Sequence, residues 1–253
     1  PLMSHISYNP FLAFAMYLVL NKLFSGEKIS QIERATYTFF SITMTINMFI
    51  TGGRAGQVMF FAAIVIVMFQ YFRNSQIKAI LTSAIVIILI SYTAFNLSPT
   101  FQARVNSAFD NVINFDEKRN TSVGQRITFV MNSYELFKKE PFLGVGTGDF
   151  PGEYQKINLI NTPQVKTTTQ PHNMYMLVLS QLGLLGLTSF LLIFYFQIKI
   201  ALTSRVLYIK HLGVAMPLLF LIIMWSDSYL LGHFTGNLFI LFSSFVYSSN
   251  LND

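Results

Sequence analysis

Seven stretches of the chain are apolar over close to the length that a helix needs to cross a bilayer: approximately 10–24, 35–51, 55–72, 78–97, 173–198, 213–231 and 235–249. A hydrocarbon core of about 30 Å takes roughly 20 residues of helix. None of the stretches alternates apolar and polar residues as a barrel strand does, so helices are the form expected. The fifth, from Asn173 through "MYMLVLSQLGLLGLTSFLLIFYFQ", is the clearest. Between the fourth and fifth lies one long polar connection, about 98–172. Within it Thr121 or Ser122 can cap a helix on which Val123, Ile127, Val130, Met131, Tyr134 and Phe137 recur at helical spacing. Lys138 and Lys139 suit its C-terminal end and Pro141 stops it. That stripe would lie on the membrane surface or on the outer helix ends. A turn-rich "PFLGVGTGDFPGEY" follows, then a Thr-rich approach to Pro171. The predicted organisation is an all-α integral membrane protein: spans one to four in 1–97, a large partly helical loop in 98–172, and spans five to seven in 173–253.

Composition strengthens this reading. Only 11% of the 253 residues are charged, against roughly 25% in an average soluble protein, and 53% are apolar, including 26 Phe and 12 Tyr. A soluble fold of this length has no interior large enough for that load. Cysteine is absent, which excludes disulfides, thiolate catalysis and Cys-ligated metals. The net charge of +6 is scattered, so it speaks of orientation and not of nucleic-acid binding. Lys22, Lys28, Arg34, Arg73, Lys78, Lys199, Arg205 and Lys210 fall on one side under simple alternation of spans, with only Glu27 and Glu33 among the acids. That side is expected to be cytoplasmic. The long connection on the opposite side carries 15 of the 28 charged side chains, which predicts a small functional domain. The chain starts at Pro1 and is expected to be a processed or truncated piece of something longer; no signal-peptide pattern is seen.

Few residues here can carry chemistry. Arg54, in "TGGRAGQ" between the second and third spans, is a guanidinium near membrane depth, costly unless it meets an anion or a watery cavity. An Arg that snorkels to lipid phosphates is the plain alternative. Gly52, Gly53 and Gly56 would allow close approach of a ligand or a helix. Arg126 shares a helix face with Phe129 and Phe137, and taken singly reads equally as a solvated charge. In "TTTQPHNMYM" a Thr or Gln as N-cap with Pro171 first in the helix puts His172 in the first turn of the fifth span. There the helix dipole favours a neutral, proton-accepting imidazole, and free peptide N–H groups favour an anion; an interfacial His without a role is the alternative. Asp227, near the outer end of the sixth span, would orient His172 or pair with an arginine. "GVGTGD" has neither P-loop spacing nor a surrounding βαβ unit, leaving a tight turn as its default. No Asp-x-Asp, H-E-x-x-H or G-x-S-x-G is present, so metal–nucleotide, zinc and serine chemistry lack support.

Three segments, "TGGRAGQ", "SVGQRITFVMNSYELFKKEPFLGVGTGDF" and "PHNMYMLVLSQLGLLGL", together resemble the O-antigen ligase/polymerase family of bacterial envelope polysaccharide assembly, over about residues 40–235. The middle segment resembles that family's Arg-helix-Pro-Phe-Leu-Gly-x-Gly pattern, and the last is similar to its His-Asn/Ser…Leu…Gly-Leu-x-Gly signature. The resemblance implies an architecture of the C-type glycosyltransferase kind, of which seven spans make the C-terminal half. It implies catalytic roles for Arg54, Arg126 and His172, and substrate contacts by Arg54, Arg126, Gly146 and Asp227. It implies no cofactor and no metal. The donor would be an undecaprenyl-pyrophosphate-linked glycan and the site would face the periplasm from the bacterial inner membrane, among membrane lipid. The acceptor would be a lipid A–core hydroxyl in a ligase, another lipid-linked glycan in a polymerase, or a protein Ser or Thr in an O-oligosaccharyltransferase. A polyprenyl-linked glycan transporter is the non-enzyme alternative, weakened by the lack of an internal repeat.

Overall fold

The computed structural model of the chain describes residues 4–26 and 28–248; Pro1 and Glu27 lie outside them. Its regular structure is helical, with no strand among the described residues: α1 (His5–Phe24), α2 (Gln31–Ile50), α3 (Arg54–Tyr71), α4 (Gln76–Leu97), α5 (Pro99–Ile113), α6 (Ser122–Lys139), α7 (Phe150–Asn161), α8 (Met174–Thr203), α9 (Leu207–Ile223) and α10 (His233–Ser248). Each of the seven apolar stretches coincides largely with a helix. Three of these, α3, α4 and α8, are long and apolar enough to cross a membrane, and α9 is apolar but shorter. The sixth stretch departs most from expectation. Its helix starts earlier, at Leu207, and stops at Ile223, so 224–232 is a run of turns and not the end of a span.

The chain divides into two compact units. In the first (1–104, 197–223 and 233–253), α3 is the central helix, packed on α1, α4 and α9. It carries the buried side chains Met59, Phe60, Ala63, Ile64, Val67 and Met68. At Gly56 a Cβ would collide with Asn9 of α1, so of the two uses expected for that glycine it serves helix approach. Local chemistry sets the helix ends: α2 starts at a Ser30/Glu33 capping box, and Ser75 caps α4. This unit buries several polar side chains within its apolar core and turns large apolar ones outward. Asn9, Asn21, Gln57 and Ser83 are buried, while Ile32, Phe39, Ile42, Ile77, Ile85 and Ile88 are exposed. The buried amides are hydrogen-bonded; Gln70 accepts from Tyr17 and Asn21 and donates to the His211 carbonyl. Apolar side chains turned outward are what a lipid solvent demands.

The second unit (105–196 and 224–232) holds α6, α7 and the first part of α8. The helix predicted between Thr121 and Pro141 is α6, with Thr121 as its N-cap and Lys138 and Lys139 in its last turn. Its buried face is not the apolar stripe but Gly124, Thr128, Phe129, Asn132, Ser133 and Leu136, whereas Met131 and Tyr134 are half exposed. Asn132 explains this choice, since its amide donates to Tyr154, Asn158 and Thr162 of α7 and the residue after it. The segment read as wholly turn-rich contains the start of α7, where Pro151 occupies a first-turn position that needs no N–H.

The fifth stretch is not one straight helix. α8 breaks at Gly183 (φ 62°, ψ −161°). The carbonyls of Ser180 and Gln181 accept from the N–H groups of Val145 (2.9 Å) and Gly146 (3.0 Å), and Leu184 and Leu185 donate to the carbonyls of Pro141 (2.9 Å) and Phe142 (3.3 Å). The backbone of 141–146 thus supplies partners on both sides of the break. Gly144 (φ 69°) and Gly183 meet at this junction. A Cβ on the first would overlap the backbone of Gln181 and Leu182, and one on the second that of Phe142 and Leu143.

Candidate active site

His172 does not lie in the first turn of α8. The helix begins at Met174, and Asn173 is its cap: its side-chain oxygen accepts from the Met176 N–H at 3.0 Å. Asn is among the best N-cap residues, and a His at φ 50° cannot be helical. The same Asn173 donates through its amide nitrogen to the Trp225 carbonyl (3.1 Å), and the Met174 N–H donates to the Met224 carbonyl (2.9 Å). Tyr175 packs on Trp225, with ring centroids 4.9 Å apart. These contacts tie the head of α8 to the turns at 224–228 and hold His172 in its left-handed conformation, which costs of the order of 1–3 kcal/mol. Such strain is common where a side chain must be aimed.

It is aimed at Asp227. His172 Nδ1 lies 3.0 Å from Asp227 Oδ1, which also accepts the Ser228 N–H at 2.8 Å. The other carboxylate oxygen, Oδ2, is 4.0 Å from Arg126 Nη2, at the outer limit of an ion pair. The imidazole stacks on Phe129, with ring centroids 6.0 Å apart and planes 27° apart. Phe129 is one turn from Arg126, so a single face of α6 supplies both the ring and the cation. Burial pushes the Asp227 carboxyl up, but the hydrogen bond and charge of His172, the Ser228 N–H and Arg126 outweigh it and hold the group below the usual carboxylate range. Nearby Tyr229 is buried, and burial together with the Asp227 charge pushes its phenol up to about 12. A carboxylate that orients one imidazole nitrogen leaves Nε2 as the atom able to take a proton. The side chains of His172 and Arg126 are about one third exposed (33% and 34%), so substrate can reach both.

The expected residues therefore separate into groups. Arg126, His172 and Asp227 come together within the second unit. Asp227 does so from the turns after α9 and not from a span. Arg54 belongs to the first unit, as the first residue of α3 after its Gly53 cap. A cation there faces the positive end of the helix dipole, an arrangement that a bound anion would relieve. The Arg104 guanidinium lies against Gly52, two residues earlier, and adds positive charge to that corner. Gly146 has its N–H engaged by Gln181, which gives it a packing role at the α8 break. Asn173, Ser228 and Phe129 complete the site. The first was readable as a capping residue, the second had no signal, and the third shared the Arg126 face.

A family model described as O-antigen ligase matches residues 39–191, the region that contains Arg54, Arg126 and His172. The chain is also similar to an uncharacterized protein of Haemophilus influenzae, 29% identical over 171 residues, which is 64% of this chain. It spans 42% of that relative's length. The three motifs, the histidine–aspartate pair beside an arginine, and a family match over more than half of the sequence agree with one another, and the chain belongs to the O-antigen ligase family.

Proposed function

We propose that this protein transfers a glycan from an undecaprenyl-pyrophosphate carrier to the hydroxyl of an acceptor, a lipid A–core oligosaccharide, on the periplasmic side of the bacterial inner membrane, with seven helices crossing it. The observation that carries this reading is the Asp227–His172 hydrogen bond with Arg126 beside it. Asp227 keeps Nδ1 of the imidazole occupied, so Nε2 takes the proton of the acceptor hydroxyl. The acceptor oxygen attacks the anomeric carbon, the bond from that carbon to the phosphate oxygen breaks, and its electron pair leaves on the pyrophosphate. Attack without a covalent enzyme intermediate inverts the anomeric centre.

Pyrophosphate is a good leaving group, so what matters most is fixed positive charge where negative charge grows. Guanidinium groups stay charged and grip phosphate oxygens in pairs, which suits Arg126 to the diphosphate. No metal is then required. Arg54, at the head of α3, is assigned anion binding within its own unit, and Asp227 is a positioning residue. The test uses purified protein with lipid-linked donor, with and without EDTA, and three acceptors: lipid A–core, a second lipid-linked glycan, and a Ser/Thr-containing polypeptide. Conjugate formed with lipid A–core, unaffected by EDTA, is expected. Conjugate formed only with the glycan or the polypeptide would make the protein a polymerase or a protein glycosyltransferase, and none at all would sink the enzymatic reading.

A further inference from the structure

We propose that the turn at Pro141–Leu143 inserts into the hydrocarbon of the bilayer as a wedge docked on α8, and so sets the depth at which the His172 pair works. Phe142 and Leu143 are 67% and 70% exposed, at the tip of a segment that its polar sequence surroundings would leave wholly outside the membrane. Beside them on α8, Leu182, Leu184 and Leu185 are also exposed, and the apolar surface continues along that helix to Leu191, Leu192 and Ile193. The run 141–148 has no charged residue, and Glu140 and Asp149 bracket it.

Exposed side chains alone would not make a membrane segment, because loop backbone at membrane depth must have every polar group satisfied by protein. Docking on α8 meets that condition for four of the loop's backbone groups. The carbonyls of Pro141 and Phe142 and the N–H groups of Val145 and Gly146 all pair with α8, across the break at Gly183. The Gly144 N–H donates to the Glu140 carbonyl. A loop facing water has no need of such pairing, and α8, apolar enough to cross a membrane, would gain nothing in water from a break that takes up a loop. Lipid acyl chains are the occupant that this combination fits. From the break to Met174 the helix runs nine residues, about 14 Å at 1.5 Å per residue. A wedge held in the outer hydrocarbon therefore seats the imidazole at head-group height. The inference needs only that α8 spans the membrane, and stands apart from the transfer reaction.

The chain has no cysteine, so single-site labelling is clean. Phe142→Cys and Leu143→Cys, each nitroxide-labelled in the full chain and reconstituted into phosphatidylethanolamine/phosphatidylglycerol vesicles, are compared with Lys139→Cys and Asp149→Cys. Saturation measurements should show the first two labels colliding severalfold more with oxygen than with a water-soluble nickel chelate, and the flanking pair the reverse. Greater nickel access at 142 and 143 would put the turn in water, and protection from both reagents would mean that a second protein surface covers it. Either result overturns the proposal. Phe142→Trp in a Trp225→Phe background gives an independent reading. Its fluorescence should be quenched by lipids brominated in the acyl chains, and unchanged emission in them would contradict insertion.

Discussion

A histidine and an aspartate 55 positions apart share one hydrogen bond here, and each alters what the other can do. His172→Ala removes the proposed base and should lower kcat by roughly 10²–10⁴-fold while the protein still inserts normally; turnover by the purified variant measures it. Asp227→Asn keeps the shape but offers an amide that can hold the imidazole in the wrong tautomer. It should reduce kcat by more than about tenfold with KM little changed, whereas a purely structural role would move both through loss of folded protein. The same carboxyl predicts a pH effect. Its folded-state pKa is depressed, so it stabilises the fold above about pH 4, the ordinary value for Asp, and that contribution is lost as pH falls through the depressed value. Thermal unfolding of Asp227→Asn should accordingly depend less on pH below about 4 than that of the parent. Arg54→Lys separates two readings, since paired recognition of phosphate oxygens predicts a severe loss of transfer and a mere lipid anchor predicts none. These charged residues were visible in the sequence because ionised groups are rare in so apolar a chain. Ser228 was not, because it contributes a backbone N–H, which every residue but proline has.

At the scale of elements, α6 was legible almost residue for residue. Thr121, the two lysines and Pro141 are local signals, and each acts on the backbone within a turn of itself. The break in α8 was not. Gly183 and Gly186 sit three apart in the same apolar run, and only the first leaves the helix. What singles it out is the 141–146 segment, some forty residues away, whose backbone needs the space and the hydrogen bonds there. Gly144→Ala and Gly183→Ala should each destabilise the second unit by about 1 kcal/mol or more, through both the positive φ and the overlap. A shift in the unfolding midpoint checks this. The boundary before α8 turned on competition between two N-terminal solutions, Pro171 within the helix or Asn173 as cap, and the tethers to Met224 and Trp225 decide for Asn173. Asn173→Ala loses cap and tether together, so it should cost at least the roughly 0.5–2 kcal/mol of a lost cap and also reduce activity.

For the whole molecule, the polar groups buried in both units and the apolar side chains turned outward describe a protein made for lipid. On α6 the buried face mixes Phe129 and Leu136 with Asn132, which pairs with Asn158 and Thr162. The transfer reaction proposed above uses only the chain's own cations and base. Added EDTA should therefore leave the rate unchanged, and a loss restored by magnesium would overturn that part of the mechanism.

The amino-acid sequence alone determined the helical membrane character, the position of α6, the family resemblance and the short set of ionised residues worth suspecting. All of these follow from composition or from interactions between near neighbours along the chain. Only the tertiary structure decided that Asp227 stands in turns and not in a span, that it faces His172, that the Gly146 N–H pairs with Gln181 and that Gly183 breaks its helix. Each of those outcomes depends on which distant backbone groups come within hydrogen-bonding reach, and no local pattern encodes the partner of a carbonyl fifty residues away.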